Sequence, residues 1–302
     1  TPAPAGVVRP KRHFDTLFYT GNSTSGRSIS GLEFKPDFIW IKNRDATYYH
    51  CLSDTVRGIT RSSNSNSTDA EVNYSNISAV HDHGFVVGAA ELVNKNSQNL
   101  VAWCWKAGGT AVTNTVGNIS AQVSANDEAG FSIITYTGDG NTSGNVGTGL
   151  RSTQPLDWAI VKRRDSTSDW HVGHRASGQS SNFAYHLNLN STDTLSGSSP
   201  YHMGTQSYTN GDRLYLAEGG LTSSATYVAY VWQERPGYSK FGSYTGTEND
   251  DGPYVHLGFS PAWVMVKCTS NAEHWNIAVF TNGYRENGTV KFISSNLTTA
   301  ER

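Results

Sequence analysis

The tripeptide Tyr-Thr-Gly is written three times into this chain, as Tyr19-Thr20-Gly21, Tyr136-Thr137-Gly138 and Tyr244-Thr245-Gly246. Each copy leads through a Gly/Ser/Asn-rich turn into a second block that opens on Pro and closes on Lys. These blocks are Pro36-Asp37-Phe38-Ile39-Trp40-Ile41-Lys42, Pro155-Leu156-Asp157-Trp158-Ala159-Ile160-Val161-Lys162 and Pro261-Ala262-Trp263-Val264-Met265-Val266-Lys267. A third block, Val101-Ala102-Trp103-Cys104-Trp105, has one counterpart, Val228-Ala229-Tyr230-Val231-Trp232. Blocks that recur in one order mean a tandem array of a single small unit.

Composition says what kind of unit. The 302 residues hold 30 Gly and 2 Met, and only 16% are charged. Long stretches of Glu, Lys, Leu and Ala are missing, which disfavours helix. Aromatic residues reach 11%, and with frequent Val, Ile and Thr they favour strands. Apolar runs broken by Gly, Asn, Asp and Ser at roughly 8–12-residue spacing predict an all-β fold. Residues 38–42 are apolar on both faces, the pattern of a central strand covered on both sides. A two-sheet core in each unit uses the tryptophans, so tandem β-sandwiches are expected, two complete and a third incomplete. The boundaries read as an extended arm over 1–13, a first unit over 14–109, a linker over 110–130, a second unit over 131–237 and a partial third over 238–302. The third lacks a closing aromatic strand, and an unpaired sheet edge would be left.

Net charge is −2, which argues against nucleic-acid binding, since that needs a basic face. No apolar run approaches the ~18 residues of a membrane span. Cys51, Cys104 and Cys268 make an odd, sparse set, read as buried free thiols. Matches to Asn-x-Ser/Thr at Asn66, Asn118, Asn190 and Asn296 are expected by chance in a chain this rich in Asn, Ser and Thr.

Together with the flanking Gly31-Leu32-Glu33-Phe34-Lys35, Asp54-Thr55-Val56-Arg57-Gly58 and Lys106-Ala107-Gly108, these blocks resemble a repeat module of structural proteins from marine bacteriophages, cyanophages above all. The resemblance covers nearly the whole chain from Phe14 onward. It implies tail-fibre-like or virion proteins whose units look similar to concanavalin-, jelly-roll- and laminin-G-like sandwiches. It also implies location on the virion, homotrimeric assembly and contact with other virion proteins.

Chemistry-bearing residues are few. Lys42, Lys162 and Lys267 close equivalent strands and read as polar strand ends reaching water. His50, His171 and His274 recur soon after them, beside Tyr49, Trp170 and Trp275. With Tyr48 they are the candidate ligand-binding residues, as sugar-stacking aromatics with His donors; the alternative is packed strand residues. His81-Asp82-His83 reads as a solvated turn rather than a metal site. The run 248–251 could bind calcium through hard oxygen ligands, and otherwise reads as a hairpin turn needing no ion. No cofactor is called for. No carboxylate pair lies in an apolar setting that would raise a pKa. The expected function is therefore non-enzymatic: multivalent adhesion to host surface glycans through loops 64–71, 179–183 and 248–252. The alternatives are a structural joint that binds only other virion proteins, and a glycan-depolymerising tailspike.

Overall fold

The computed structural model describes residues 9–177, 185–195, 203, 211–249, 251–279 and 291–302. The first unit runs through β1 (Phe14–Thr20), β2 (Arg27–Ser30), β3 (Phe38–Asn43), β4 (Cys51–Asp54), the short pair β5 (Arg61–Ser62) and β6 (Val72–Asn73), β7 (Ile77–His81), β8 (Gly84–Val87) and β9 (Asn99–Trp105). Its inner sheet has the order β1-β9-β3-β4, and β2-β8-β7 lies over it as a second layer. The second unit runs through β10 (Val112–Asn114), β11 (Ala121–Asn126), β12 (Phe131–Thr137), β13 (Ser143–Gly147), β14 (Trp158–Arg163), β15 (Trp170–His174), β16 (His186–Asn188), β17 (Arg213–Ala217) and β18 (Thr226–Trp232). Its inner sheet, β10-β11-β12-β18-β14-β15-β16, faces the pair β13-β17. Among the described residues the third has β19 (Val264–Val266), β20 (Asn276–Val279) and β21 (Lys291–Ser294), paired in that order. Among the described residues every strand ladder is antiparallel, and the fold is all-β.

The registers coincide. Trp105 lies between Phe14 and Phe38, as Trp232 lies between Phe131 and Trp158. Trp40 opposes Leu52, Ile160 opposes Val172 and Met265 opposes Ile277. The next strand continues the match, with Leu52 opposite Ser63, Val172 opposite Leu187 and Ile277 opposite Ile293. The closing strand always sits between the Tyr-Thr-Gly strand and the Pro-to-Lys strand.

Period-two alternation sends the two faces of each central strand to different cores. Ile39, Ile41, Leu100, Ala102 and Cys104 fill the first unit's own sandwich core. Phe38, Trp40, Val101, Trp103 and Trp105 point the other way. There they join Phe131, Trp158, Trp170 and Trp232 of the second unit and Trp275, Ile277 and Ile293 of the third in one shared core. Rings stack at its centre, Phe38 on Tyr230 at 4.3 Å and Trp158 on Trp232 at 4.2 Å. Each fully buried side chain of this size contributes ~1.5–3 kcal/mol. The sandwiches are therefore not beads on a string, because their inner sheets depend on one another for cover.

Three boundaries differ from the sequence reading. Residues 110–130 are not a bare linker, because β10 and β11 extend the second unit's sheet. The end of the N-terminal arm is tied down, with Pro10–Arg12 forming a 3-10 turn and His13 buried beside Tyr238. The third Tyr-Thr-Gly copy forms no strand.

Tyr-Thr-Gly itself has a geometric reason. The Tyr19 hydroxyl donates to Val93 O at 2.7 Å and the Tyr136 hydroxyl to Gly220 O at 3.0 Å. A Cβ on Gly21 would lie 2.0 Å from Lys95 O, and one on Gly138 would lie 2.2 Å from Thr222 O. Only glycine lets the backbone come that close to the turn before the closing strand.

Candidate functional site

The residues that carry the repeat's chemistry lie where the units meet. Opposite Lys42, Lys162 and Lys267 stand His50, Trp170 and Trp275, each eight residues further along the chain. Their backbone N–H groups donate to Asn66 Oδ1, Asn190 Oδ1 and Asn296 Oδ1 at 3.0, 2.8 and 3.1 Å. Their rings cross to a neighbouring unit. Trp170 Nε1 donates to Asn64 O at 2.9 Å, and Trp275 Nε1 to Asn188 O at 2.9 Å. His50 Nδ1 accepts from Trp40 Nε1 at 2.8 Å, so its proton is on Nε2, which donates to Ser294 O at 3.1 Å. The second unit thus holds the first, the third holds the second and the first holds the third. Three equivalent latches close a ring inside one chain.

A second set of contacts reinforces each latch. Glu71 N donates to Arg164 O, Leu195 N to Thr269 O and Glu301 N to Arg44 O, at 2.8, 2.9 and 2.8 Å. Two of these junctions add ion pairs. Arg164 holds Glu71 at 3.0 Å and Arg44 holds Glu301 at 2.7 Å.

Lys42 and Lys162 are buried at this ring and Lys267 is partly buried, contrary to the expectation of strand ends in water. Lys42 is 0% and Lys162 1% exposed. Lys162 Nζ donates to Arg163 O and, across the junction, to Thr68 O; Lys267 Nζ donates to Cys268 O and to Thr192 O. Lys42 Nζ donates to Asn43 O and Ala46 O. Burial without a carboxylate in contact lowers Lys42 and Lys162 to about 8.

The junction of the first two units carries a further cluster. Arg57 binds Asp54 through Nε, Ser63 Oγ at 2.9 Å, Glu71 Oε2 at 3.0 Å and Leu52 O at 3.0 Å. The Tyr230 hydroxyl, on the closing strand of the second unit, donates to Asp54 Oδ2 at 2.8 Å. Burial works against the charge on Arg57, but Asp54, Tyr230 and Glu71 raise its pKa above its ordinary value. Burial likewise pushes Glu71 up, and Arg164 and Arg57 reverse the sign and hold it below the usual carboxylate range.

These placements revise the candidate ligand residues. His50, Trp170 and Trp275 are 0%, 0% and 5% exposed, so they cannot stack on a sugar from solvent. His171 is buried, its ring 6.2 Å from His186. Burial, then His186 and Lys162, push it down to about 3. His274 Nδ1 lies 2.9 Å from Asn296 Nδ2, a support of the third latch. Tyr48 and His274 are partly exposed and Tyr49 is 49% exposed, with Tyr48 donating to Glu91 Oε2 at 2.6 Å. The repeat position grouped by the structure is His50, Trp170 and Trp275, not the three histidines.

Loop 64–71, expected to meet a partner, is wedged between the first two units by the contacts above. Residues 179–183 lie outside the described residues. In the 248–251 turn Asn249 accepts from Asp251 N and Gly252 N. Among the described residues no three His, Cys, Asp or Glu side chains come together as a metal set. Cys51 and Cys104 are buried thiols, whereas Cys268 is partly exposed. Among the described residues no helix is long and apolar enough to cross a membrane.

A family model described as a domain of unknown function, DUF7483, matches residues 9–302. The chain belongs to the DUF7483 family. Searches of curated proteins and of solved structures find no match. What this DUF7483 chain shows by its own geometry is a ring of latches, and the sequence signals for it were Asn66, Asn190 and Asn296. These sat in the discounted Asn-x-Ser/Thr matches.

Proposed function

We propose that this chain is a non-enzymatic structural joint of a phage particle, a rigid body that holds neighbouring virion proteins. The phage assignment comes from the resemblance of its repeated blocks. The structural role is supported by one observation above the rest: the recurrent aromatic and charged residues are consumed in closing the ring. A surface built to bind glycans would leave its recurrent aromatics in solvent. The ring of three units within one chain supports a single-chain scaffold over a homotrimer. A depolymerase would need a carboxylic acid that keeps its proton. The buried carboxylates Asp54 and Glu71 are committed to Arg57 and Asp157 to Arg175, Glu71 is held in its charged form, and Asp37, which burial pushes up, accepts from Thr55 Oγ1 at 3.0 Å and Ala107 N at 2.8 Å. Host adhesion is the second reading, favoured by Tyr49 on the surface beside Tyr48.

Mass spectrometry of density-purified particles tests the assignment, with labelling by antibody to locate the chain. It should be present at stoichiometric copy number and touch other virion proteins. Absence from purified particles would remove the proposal. Saturable binding on a glycan array that is lost in Tyr49→Ala would replace it with adhesion.

A further inference from the structure

Among the described residues no strand pairs with the outer edge of β19, and the first two units show what fits there. In both complete units a closing strand lies between the Tyr-Thr-Gly strand and the Pro-to-Lys strand. In the third, β19 pairs only with β20, and its other edge has no strand among the described residues. Residues 264–266 are partly exposed, whereas residues 39–41 and 159–161 are fully buried. The Tyr-Thr-Gly copy that should flank the same place is also unpaired. Tyr244 is 54% exposed, where Tyr136 is 4%. A Cβ on Gly246 would meet nothing within 4 Å, where those on Gly21 and Gly138 would collide with backbone. The third copy keeps a tyrosine and a glycine whose two geometric reasons are both unmet.

We propose that the edge of β19 and the Tyr244-Thr245-Gly246 segment together form an acceptor for one partner segment, a turn followed by a strand of the Val-Ala-aromatic-apolar-Trp type. Strand addition satisfies unpaired main-chain groups, and side-chain pockets select the sequence. The register of the complete units supplies the pairing. A Trp of the guest opposes Trp263, an aromatic residue opposes Met265 and the small Ala opposes Val266, as Trp232, Tyr230 and Ala229 oppose Trp158, Ile160 and Val161. The preceding turn supplies the carbonyl that Tyr244 lacks, as Gly220 does for Tyr136, and lies against Gly246. The inference names a partner for the structural role proposed above. Its test is separate, because the chain's presence in particles does not depend on it.

The probe is a peptide with the sequence of residues 219–232, titrated into the whole chain by calorimetry and followed by hydrogen–deuterium exchange. Saturable binding is expected at one peptide per chain, with slowed exchange at both 241–246 and 264–267. A scrambled peptide of the same composition should not bind. Gly246→Val keeps the unbound fold, because its side chain enters open space, yet should weaken the peptide by roughly tenfold or more, about 1.4 kcal/mol. Failure of the peptide to bind would overturn the proposal, as would protection at only one of the two segments or equal affinity for Gly246→Val. A chain that oligomerises alone and protects both segments would also overturn it, making the occupant a second copy.

Discussion

The latch at His50 and the latches at Trp170 and Trp275 occupy one repeat position and reach one kind of acceptor, yet they differ in chemistry. Trp170 and Trp275 stand diagonally across the strand pair from Ile160 and Met265, whereas His50 stands diagonally from Trp40, which donates to it. Bulk is thus traded across a strand pair: a large ring on one strand meets a smaller side chain on the other. The junctions show the same contrast. Glu71 with Arg164 and Leu195 with Thr269 make the same backbone hydrogen bond, but only the first adds an ion pair. The main-chain latch is the constant part, and side chains fill around it in different ways.

The difference has its largest consequence in acid. Burial, then Lys42, lower His50 to about 3, and burial, then His186 and Lys162, lower His171 to about 3. Between about pH 3 and pH 6.5 the unfolded chain binds protons that the folded chain refuses, so stability is full above pH 6.5 and lost as pH falls. Going from pH 7 to pH 5 should cost about 2 kcal/mol for each of these histidines. Urea unfolding at pH 7, 6 and 5 measures this, and a flat profile would contradict the buried neutral rings. The junction of the first and third units should open before the two held by tryptophan, visible as earlier exchange near residues 291–302.

Of similar size to the two histidines together is the cluster that only the first two units share. Arg57→Ala leaves Asp54 and Glu71 without their common cation and should cost about 3–5 kcal/mol. Leu195→Ala, at the junction without an ion pair, should cost less than this, because Leu195 is only partly buried. Equal losses in chemical denaturation would mean that the charged cluster adds nothing to the latch.

The smallest effect is the most specific. His50→Trp alone overpacks the space beside Trp40 and should cost about 1–3 kcal/mol. Adding Trp40→Ile recreates the arrangement of the second unit, and the pair together should cost under about 1.5 kcal/mol. The double variant should also lose the His50 share of the acid sensitivity. Additive losses in the cycle would show that the two positions do not trade volume.

Much of the fold was legible in the chain, and the site was less so. Phe38 to Lys42 announced a strand covered on both sides, and it is. The lysines were misread because a polar strand end usually reaches water. Here a neighbouring unit covers it, and no local pattern reports that cover. The histidines were grouped by residue type, when counting a constant eight residues from each lysine would have grouped His50 with Trp170 and Trp275. Asn66, Asn190 and Asn296 went unused because loops of different lengths hide their common position. The Asp54–Arg57 turn stood out in the sequence without a partner, since Glu71, Arg164 and Tyr230 come from elsewhere in the chain.

By itself the sequence determined the all-β architecture, the recurring blocks and the two-faced alternation of the central strands, because these depend on side-chain period and on propensities acting over a few residues. Tertiary structure alone decided that the units share a core and lock in a ring. That choice rests on contacts such as His50 with Ser294 and Arg44 with Glu301. Such contacts form only once separate sheets have come together to bury the faces they cannot cover alone.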